Sequence, residues 1–516
     1  MENSRLKNSA FNFASGFMGR VLTILLNFVV RTIFIHCLNE AYLSVNGLYS
    51  NILTVLSLAE LGFGSAMVYR MYAPMAERAY SKTAALLHYY KNIYRAIGFV
   101  ILGLGLCVVP FLDIIIKDKP DVPGLTLYYL IFLINTVISY WLSSYKASLF
   151  SADQKDYIKT NVQNVATIGQ AAIQIALLLI FKKYFLYLLV QLCGTVFVNL
   201  YVAFLADKRY PEIASCRAAI LDNSEKNQIK KDAEALVISR LGHVVLNGTD
   251  NIIISAVVGV LWVGRLSNYT LICDSVTSVL CQITAAITGS LGNYFAIENR
   301  RSGYVIFKKI EFLNFWLYGF SFIALLILLD PFIRLWAGAR FVLGLPVCFA
   351  IALNFFVAGY MNTLWVFRST LGLFKQGKYR PLIVAGLNIV LSIALGKIWG
   401  VFGVLFATFL SRAAVNLWYD PIVLHKYGFG VSAKPFFCEY AKRLLLVASL
   451  SILLLAVRKF VFLTGVSILG FVIMMVITAI VPNAMFWIAY HKKNEYLYFE
   501  DILKNRIIAP LKKKLH

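Results

Sequence analysis

Hydrophobic residues fall into runs of roughly 20 between charged breaks along almost the whole chain, the length an α-helix needs to cross the hydrocarbon core of a bilayer. The pattern predicts about 14 spans. They lie at 10–35, 42–69, 86–116, 124–145, 158–181, 184–206, 233–259, 264–292, 304–329, 341–367, 379–397, 400–419, 440–457 and 462–489. The break between the fifth and sixth rests on Lys182 and Lys183 alone. Within the first run Arg20, Asn27 and Arg31 stand at i, i+7 and i+11, which places them in one stripe on one helical face. A charge in hydrocarbon is costly, and such residues face a protein interior or a water-filled cavity. The stripe therefore predicts a polar cavity within the bilayer.

Composition agrees: 60% of residues are hydrophobic and 14% charged, and the mean hydropathy is +0.73. The first run is too long for a signal-peptide core and carries arginines, so it is expected to be retained as a span. The eight cysteines show no CxxC pair and sit mostly in apolar runs, which reads as small hydrophobic residues and implies no disulfide framework and no metal site. A net charge of +24 would suit nucleic acid if it formed one surface with stacking aromatics. Here the basic residues are scattered over many short loops, so anionic membrane lipid is the expected partner and nucleic acid is not. Arg70, Arg78, Lys82, the linker 207–232, Arg300, Arg301, Lys375, Lys378 and the tail Lys512–Lys514 all fall on one side if both termini are cytoplasmic. That asymmetry predicts an N-in, C-in orientation.

The polar linker divides the first twelve spans into six and six. The helix opening the second half repeats the device of the first: Arg240, His243, Asn247 and Asp250 follow i, i+3, i+7, i+10, again one stripe. Weak similarity at an offset of about 220 residues, between Leu48-Tyr49-Ser50 and Asn268-Tyr269-Thr270 among others, fits two repeats around a central site, a common transporter plan. The expected organisation is all-α and polytopic: an N-lobe at 1–206, a cytoplasmic linker at 207–232, a C-lobe at 233–425, two further helices at 426–489, and a basic cytoplasmic tail at 490–516. Other polar groups within spans include Glu60, Arg265, Asp274 and the row Thr408, Arg412, Asn416. Arg20, Arg31, Arg95, Arg240, Arg265 and Arg412 outnumber Glu60, Asp250 and Asp274, so the predicted interior is cationic and suits phosphate, which guanidinium grips through two bonds at once. Arg31, Arg240 and Arg265 lie close enough to helix ends to reach the interface instead, and Arg95 is read as an interface residue.

The stretch Tyr42–Ala66, with Leu-Ala-Glu-Leu-Gly-Phe-Gly at 58–64, preceded by Arg31-Thr-Ile-Phe-Ile35, resembles the start of bacterial polysaccharide flippases of the Wzx type. These belong to the multidrug/oligosaccharidyl-lipid/polysaccharide (MOP) superfamily. The resemblance implies two six-helix lobes around a cavity, with the last two spans at the periphery. It implies export of an undecaprenyl-pyrophosphate-linked oligosaccharide, an O-antigen, capsule or exopolysaccharide unit, across the bacterial cytoplasmic membrane, alongside other polysaccharide-assembly membrane proteins. Related lipid II flippases carry cavity arginines on the first helices of each lobe, and Arg20, Arg31 and Arg265 occupy broadly similar places. Those flippases also place an arginine in the second span, where this chain has Glu60.

The expected substrate site is therefore Arg20, Asn27, Arg31, Arg240, His243, Asn247, Arg265 and Arg412, with Glu60, Asp250 and Asp274 as candidates for coupling to a proton or sodium ion. Translocation needs no catalytic residue and no cofactor. A drug or metabolite antiporter of the same superfamily is the alternative. A membrane-embedded glycosyltransferase or polymerase is the alternative of another class, and it would call for acidic catalytic residues or a large outer loop.

Overall fold

The structure, a computed structural model, describes residues 2–57, 63–142, 144–216, 221–231, 248–288, 300–373, 376–377, 379–501 and 504. Among these residues there is no strand. The principal helices are α1 (Glu2–Cys37), α2 (Glu40–Leu56), α3 (Phe63–Ala76), α4 (Tyr80–Val108), α5 (Leu125–Trp141), α6 (Asp156–Phe181), α7 (Tyr184–Arg209), α8 (Val260–Thr288), α9 (Arg300–Trp336), α10 (Leu345–Thr370), α11 (Arg380–Val423), α12 (Lys434–Val461) and α13 (Ile468–Tyr490). Nine helices among the described residues are long and apolar enough to cross a membrane, and Leu125–Trp141 and Gly248–Val258 are shorter apolar helices.

Local chemistry explains where the helices stop. The Lys182–Lys183 break is real: Lys182 closes α6 in the left-handed region at φ 50° and α7 starts at Tyr184. The spans expected at 379–397 and 400–419 are the two arms of α11, which departs from helical geometry at Gly400 (φ 61°, ψ −138°), a conformation that suits glycine. The arms approach so closely that a Cβ on Gly403 would lie 2.0 Å from the Leu395 carbonyl oxygen. The single span expected at 42–69 is described as α2 and α3, on either side of residues 58–62.

The chain forms two compact units, Met1–Ser267 with Pro381–Ile389, and Asn268–Arg380 with Val390–His516. In the first, α1 lies on α6 through Gly19, where a Cβ would meet the Asn164 side chain at 2.3 Å. Nearby, Asn12 accepts from the Tyr157 amide at 2.7 Å. An aromatic core of Tyr49, Tyr129, Phe132 and Tyr184 fills the space between α2, α5 and α7, and the Tyr184 hydroxyl donates to Asn46 at 3.1 Å. In the second unit, α9 and α10 form the centre, and 67% of the apolar window of each is buried.

Exposure shows what solvent these helices meet. The apolar windows of α1, α6 and α7 are only 17% buried and those of α12 and α13 only 22%, and Ile180, Leu445 and Phe460 are 69%, 70% and 77% exposed. Water would not tolerate apolar surface of that extent, whereas lipid does, and helices that satisfy their own backbone are the form that survives there. The chain is an all-α, multi-pass membrane protein.

Candidate functional site

The polar stripe on α1 is laid out by its packing. Ser15 and Gly19 face α6, where Asn164 donates to the Ser15 carbonyl at 3.3 Å. One residue further is a turn of about 100°, so Arg20 and Asn27 come out on an exposed flank. Arg31, half-buried at the far end of the stripe, donates Nη1 to Ser267 Oγ at 3.0 Å.

That contact belongs to a polar cluster in the first unit. Asn39 caps α2, accepting from the Ala41 amide at 2.9 Å, and this sets Glu40 in the first turn, where the helix dipole favours a carboxylate. Arg265 donates Nε to Glu40 Oε1 at 2.6 Å and stacks its guanidinium over Trp262 at 4.9 Å. Ser44 donates to the Leu261 carbonyl at 3.4 Å. Further along the same segment, Ser255 donates to the Ile115 carbonyl and Lys117 to the Val257 carbonyl, each at 2.7 Å. Gly259 links the Gly248–Val258 helix to α8 at φ +141°, a value open to glycine alone in practice. Residues 254–267 are thereby stitched to the ends of α1 and α2 and to residues 115–118.

The closest backbone approach in this cluster is at Gly264, whose added Cβ would stand 2.9 Å from the Ser44 amide nitrogen and 3.0 Å from its Cα. Gly264→Ala is expected to destabilise the protein by about 1–3 kcal/mol, the usual cost of overpacking, because backbone must yield. Thermal unfolding of the detergent-purified variant checks this, and an unchanged melting point would show that the two helices can part freely.

The other predicted residues are placed as follows. Arg412 is buried in the second unit, donating Nη1 to the Asn354 carbonyl at 3.4 Å, and its row partners Thr408 and Asn416 are buried with it. Asp250 is half-buried and Asp274 exposed. Glu60, Arg240, His243 and Asn247 lie outside the described residues. The structure therefore joins Arg31 and Arg265 to one cluster, through Ser267 and Glu40.

Sequence reasoning missed Glu40, whose signal is the Asn39-Glu40 helix-start pair. It also passed over the buried charges of the second unit. Glu311 accepts from Arg443 Nη1 at 2.5 Å, Asp330 accepts from the Tyr269 hydroxyl at 2.6 Å, and Asp420 is paired with both Arg368 and Arg380. Carboxylates inside apolar runs were the available signal. Chemically, Arg31 on α1 and Arg265 on α8 offer guanidinium groups to an anion, with Ser267 bound to the first and Glu40 competing for the second.

No protein-family profile matches the chain, and no curated protein matches it. Its fold is similar to that of solved transporters. The lipid II flippase MurJ in an inward closed conformation aligns with TM-score 0.61 and 14% identity, over 93% of this chain and 99% of that one. A multidrug resistance MATE family transporter of the MOP superfamily aligns in its inward-facing conformation with TM-score 0.59 and 13% identity, over 79% of this chain and 97% of that one. An outward-facing MATE structure aligns with TM-score 0.53 and 12% identity, over 80% and 93%. At such identities the likeness establishes the fold.

Proposed function

We propose that this multi-pass membrane protein is a flippase that carries an undecaprenyl-pyrophosphate-linked oligosaccharide from the inner to the outer leaflet of the bacterial cytoplasmic membrane by alternating access. The termini are cytoplasmic in this reading, and the glycan is an O-antigen, capsule or exopolysaccharide unit of the kind handled by Wzx-type proteins. The observation that carries it is the exposed stripe of Arg20 and Asn27, ending at half-buried Arg31, on a membrane-spanning helix of a fold shared with a lipid II flippase. Exposed guanidinium at that depth is tolerable beside water and useful beside phosphate. Arg240, His243 and Asn247 extend the stripe's chemistry in the second half, whereas Arg412, buried on the Asn354 carbonyl of the second unit, is left out of it.

In this scheme Arg20, Arg31 and Arg240 receive the pyrophosphate, and Asn27 and Asn247 contact sugar hydroxyls. The Arg265–Glu40 pair opens when the anion replaces the Glu40 carboxylate, a competition between two acceptors for one guanidinium. Glu60, Asp250 and Asp274 are the groups through which a proton or sodium ion would couple. The MATE likeness keeps a drug antiporter as the second reading. A cationic drug would meet a site of its own sign, and the alignment to the lipid flippase extends over more of this chain.

Reconstitution in liposomes with a fluorescent lipid-linked oligosaccharide tests the proposal, with leaflet accessibility read by an impermeant quencher. Faster equilibration than in empty liposomes is expected. A rate equal to the empty control, with uptake of a cationic dye instead, would favour the antiporter, and covalent change of the labelled sugar would favour an enzyme.

A further inference from the structure

Four tyrosines of the first unit, Tyr42, Tyr128, Tyr184 and Tyr187, gather where the end of α1 meets the starts of α2, α5 and α7. Tyr184 is the hub: its ring centroid lies 4.9 Å from that of Tyr128, 5.1 Å from Tyr42, 5.9 Å from Phe34 and 6.1 Å from Tyr187. Tyr184 and Tyr128 are buried, whereas Tyr42 and Tyr187 are half-buried. Helix geometry supplies this layout. Arg31 and Phe34 stand at i and i+3 on α1, as do Tyr184 and Tyr187 on α7, so each pair shares a face. Phe34 meets Tyr187 edge-on at 5.2 Å, and Arg31 and Tyr187 lie within electrostatic reach of one another.

Tyrosine also collects at membrane interfaces, with its ring in lipid and its hydroxyl in water. The exposure pattern along α7 separates these residues from such a belt. Phe185 and Leu189 are the side that meets lipid, each 41% exposed, while Tyr184 and Tyr187 turn away from them onto α1. The Tyr184 hydroxyl is satisfied by Asn46. Those of Tyr42, Tyr128 and Tyr187 form no hydrogen bond among the described residues. Arg31 commits a single N–H, to Ser267, of the five that a guanidinium carries. Donors and acceptors left open inside a lobe are costly unless water or a ligand meets them.

A pyranose ring has the matching chemistry. One face of it is a patch of C–H groups that lies against an aromatic ring, and its rim is a set of hydroxyls that both donate and accept. Tyrosine answers both with one side chain, at low entropic cost because it has only two χ angles. We propose that Tyr42 and Tyr187, held by buried Tyr184 and joined by the Tyr128 hydroxyl, form a sugar-binding subsite beside Arg31. On the flippase reading, which this inference rests on, the ligand is the sugar joined directly to the pyrophosphate. That sugar is the part of the glycan that must lie next to a phosphate held by Arg31. The subsite lets the protein choose glycosylated lipid over the bare carrier, a choice that a guanidinium gripping phosphate cannot make.

Native mass spectrometry of the full-length protein, offered undecaprenyl pyrophosphate with or without one N-acetylglucosamine, reads the preference. The wild type is expected to bind the glycosylated lipid about tenfold more tightly. Tyr187→Leu and Tyr42→Leu are each expected to remove most of that preference while leaving the bare lipid bound as before. Tyr187→Phe keeps the ring and its packing and is expected to lose about threefold of the preference; where a leucine variant does not fold, this one decides. No preference in the wild type overturns the proposal, as does a preference that survives these variants. Equal weakening of both lipids would also overturn it, since a loss of packing does not tell them apart. Flipping of the same two lipids in liposomes separates this result from the parent reading. A tyrosine-dependent preference in a protein that flips neither lipid removes the flippase and leaves the subsite standing, whereas flipping without such a preference does the reverse.

Discussion

Arg443→Leu is expected to destabilise the second unit by about 3–5 kcal/mol, the cost of leaving a buried carboxylate without its counter-charge. Arg443 on α12 and Glu311 on α9 are 6% and 7% exposed, and Nη1 lies 2.5 Å from Oε2. The guanidinium is enclosed further by Phe315 at 5.0 Å and Phe312 at 5.6 Å, so water cannot replace it. Removing both charges together is a different matter. Glu311→Leu with Arg443→Leu is expected to recover most of the loss, because two apolar side chains in lipid-surrounded core need no partner and the desolvation cost of the pair disappears with it. A double-mutant cycle on thermal unfolding measures the coupling directly. Additive single effects would show that the pair does not hold α12 to α9.

Arg20→Ala is expected to lower the flipping rate about 10–100-fold while leaving the amount of protein in the membrane unchanged. The first part follows from the loss of a charge-assisted contact to phosphate in a site of low dielectric. The second follows from packing: it is Gly19, not Arg20, that meets Asn164 on α6, and the Arg20 side chain lies on an exposed flank. Arg20 stands inside the apolar span Ala14–Cys37, six residues or about 9 Å of helix rise beyond its start. Arg20→Lys should retain part of the activity, since it keeps the charge but not the planar fork. Flipping at the wild-type rate in Arg20→Ala, measured with the same fluorescent lipid-linked oligosaccharide, would remove the stripe from the mechanism.

Between these two variants lies the difference between what a linear pattern can reveal and what it cannot. Hydrophobic run length located the breaks at Lys182–Lys183 and near Gly400 because each depends on residues adjacent in sequence. Helical periodicity placed Arg20, Asn27 and Arg31 on one face for the same reason. The row Thr408, Arg412, Asn416 was also legible as a stripe, yet periodicity does not say what a stripe faces. This one is buried in the second unit, with Arg412 on the Asn354 carbonyl and Asn416 against Met361.

By itself, then, the sequence determined that this is a many-span helical membrane protein, where most of its spans begin and end, and which face of α1 is polar. Only the tertiary structure decided which charges neutralise one another. Arg265 finds Glu40 across 225 residues of chain and Arg443 finds Glu311 across 132, and Asp420 divides itself between two arginines. The physical reason is that a helix's own geometry orders side chains within a few turns, whereas an ion pair is chosen by which helices come to lie side by side.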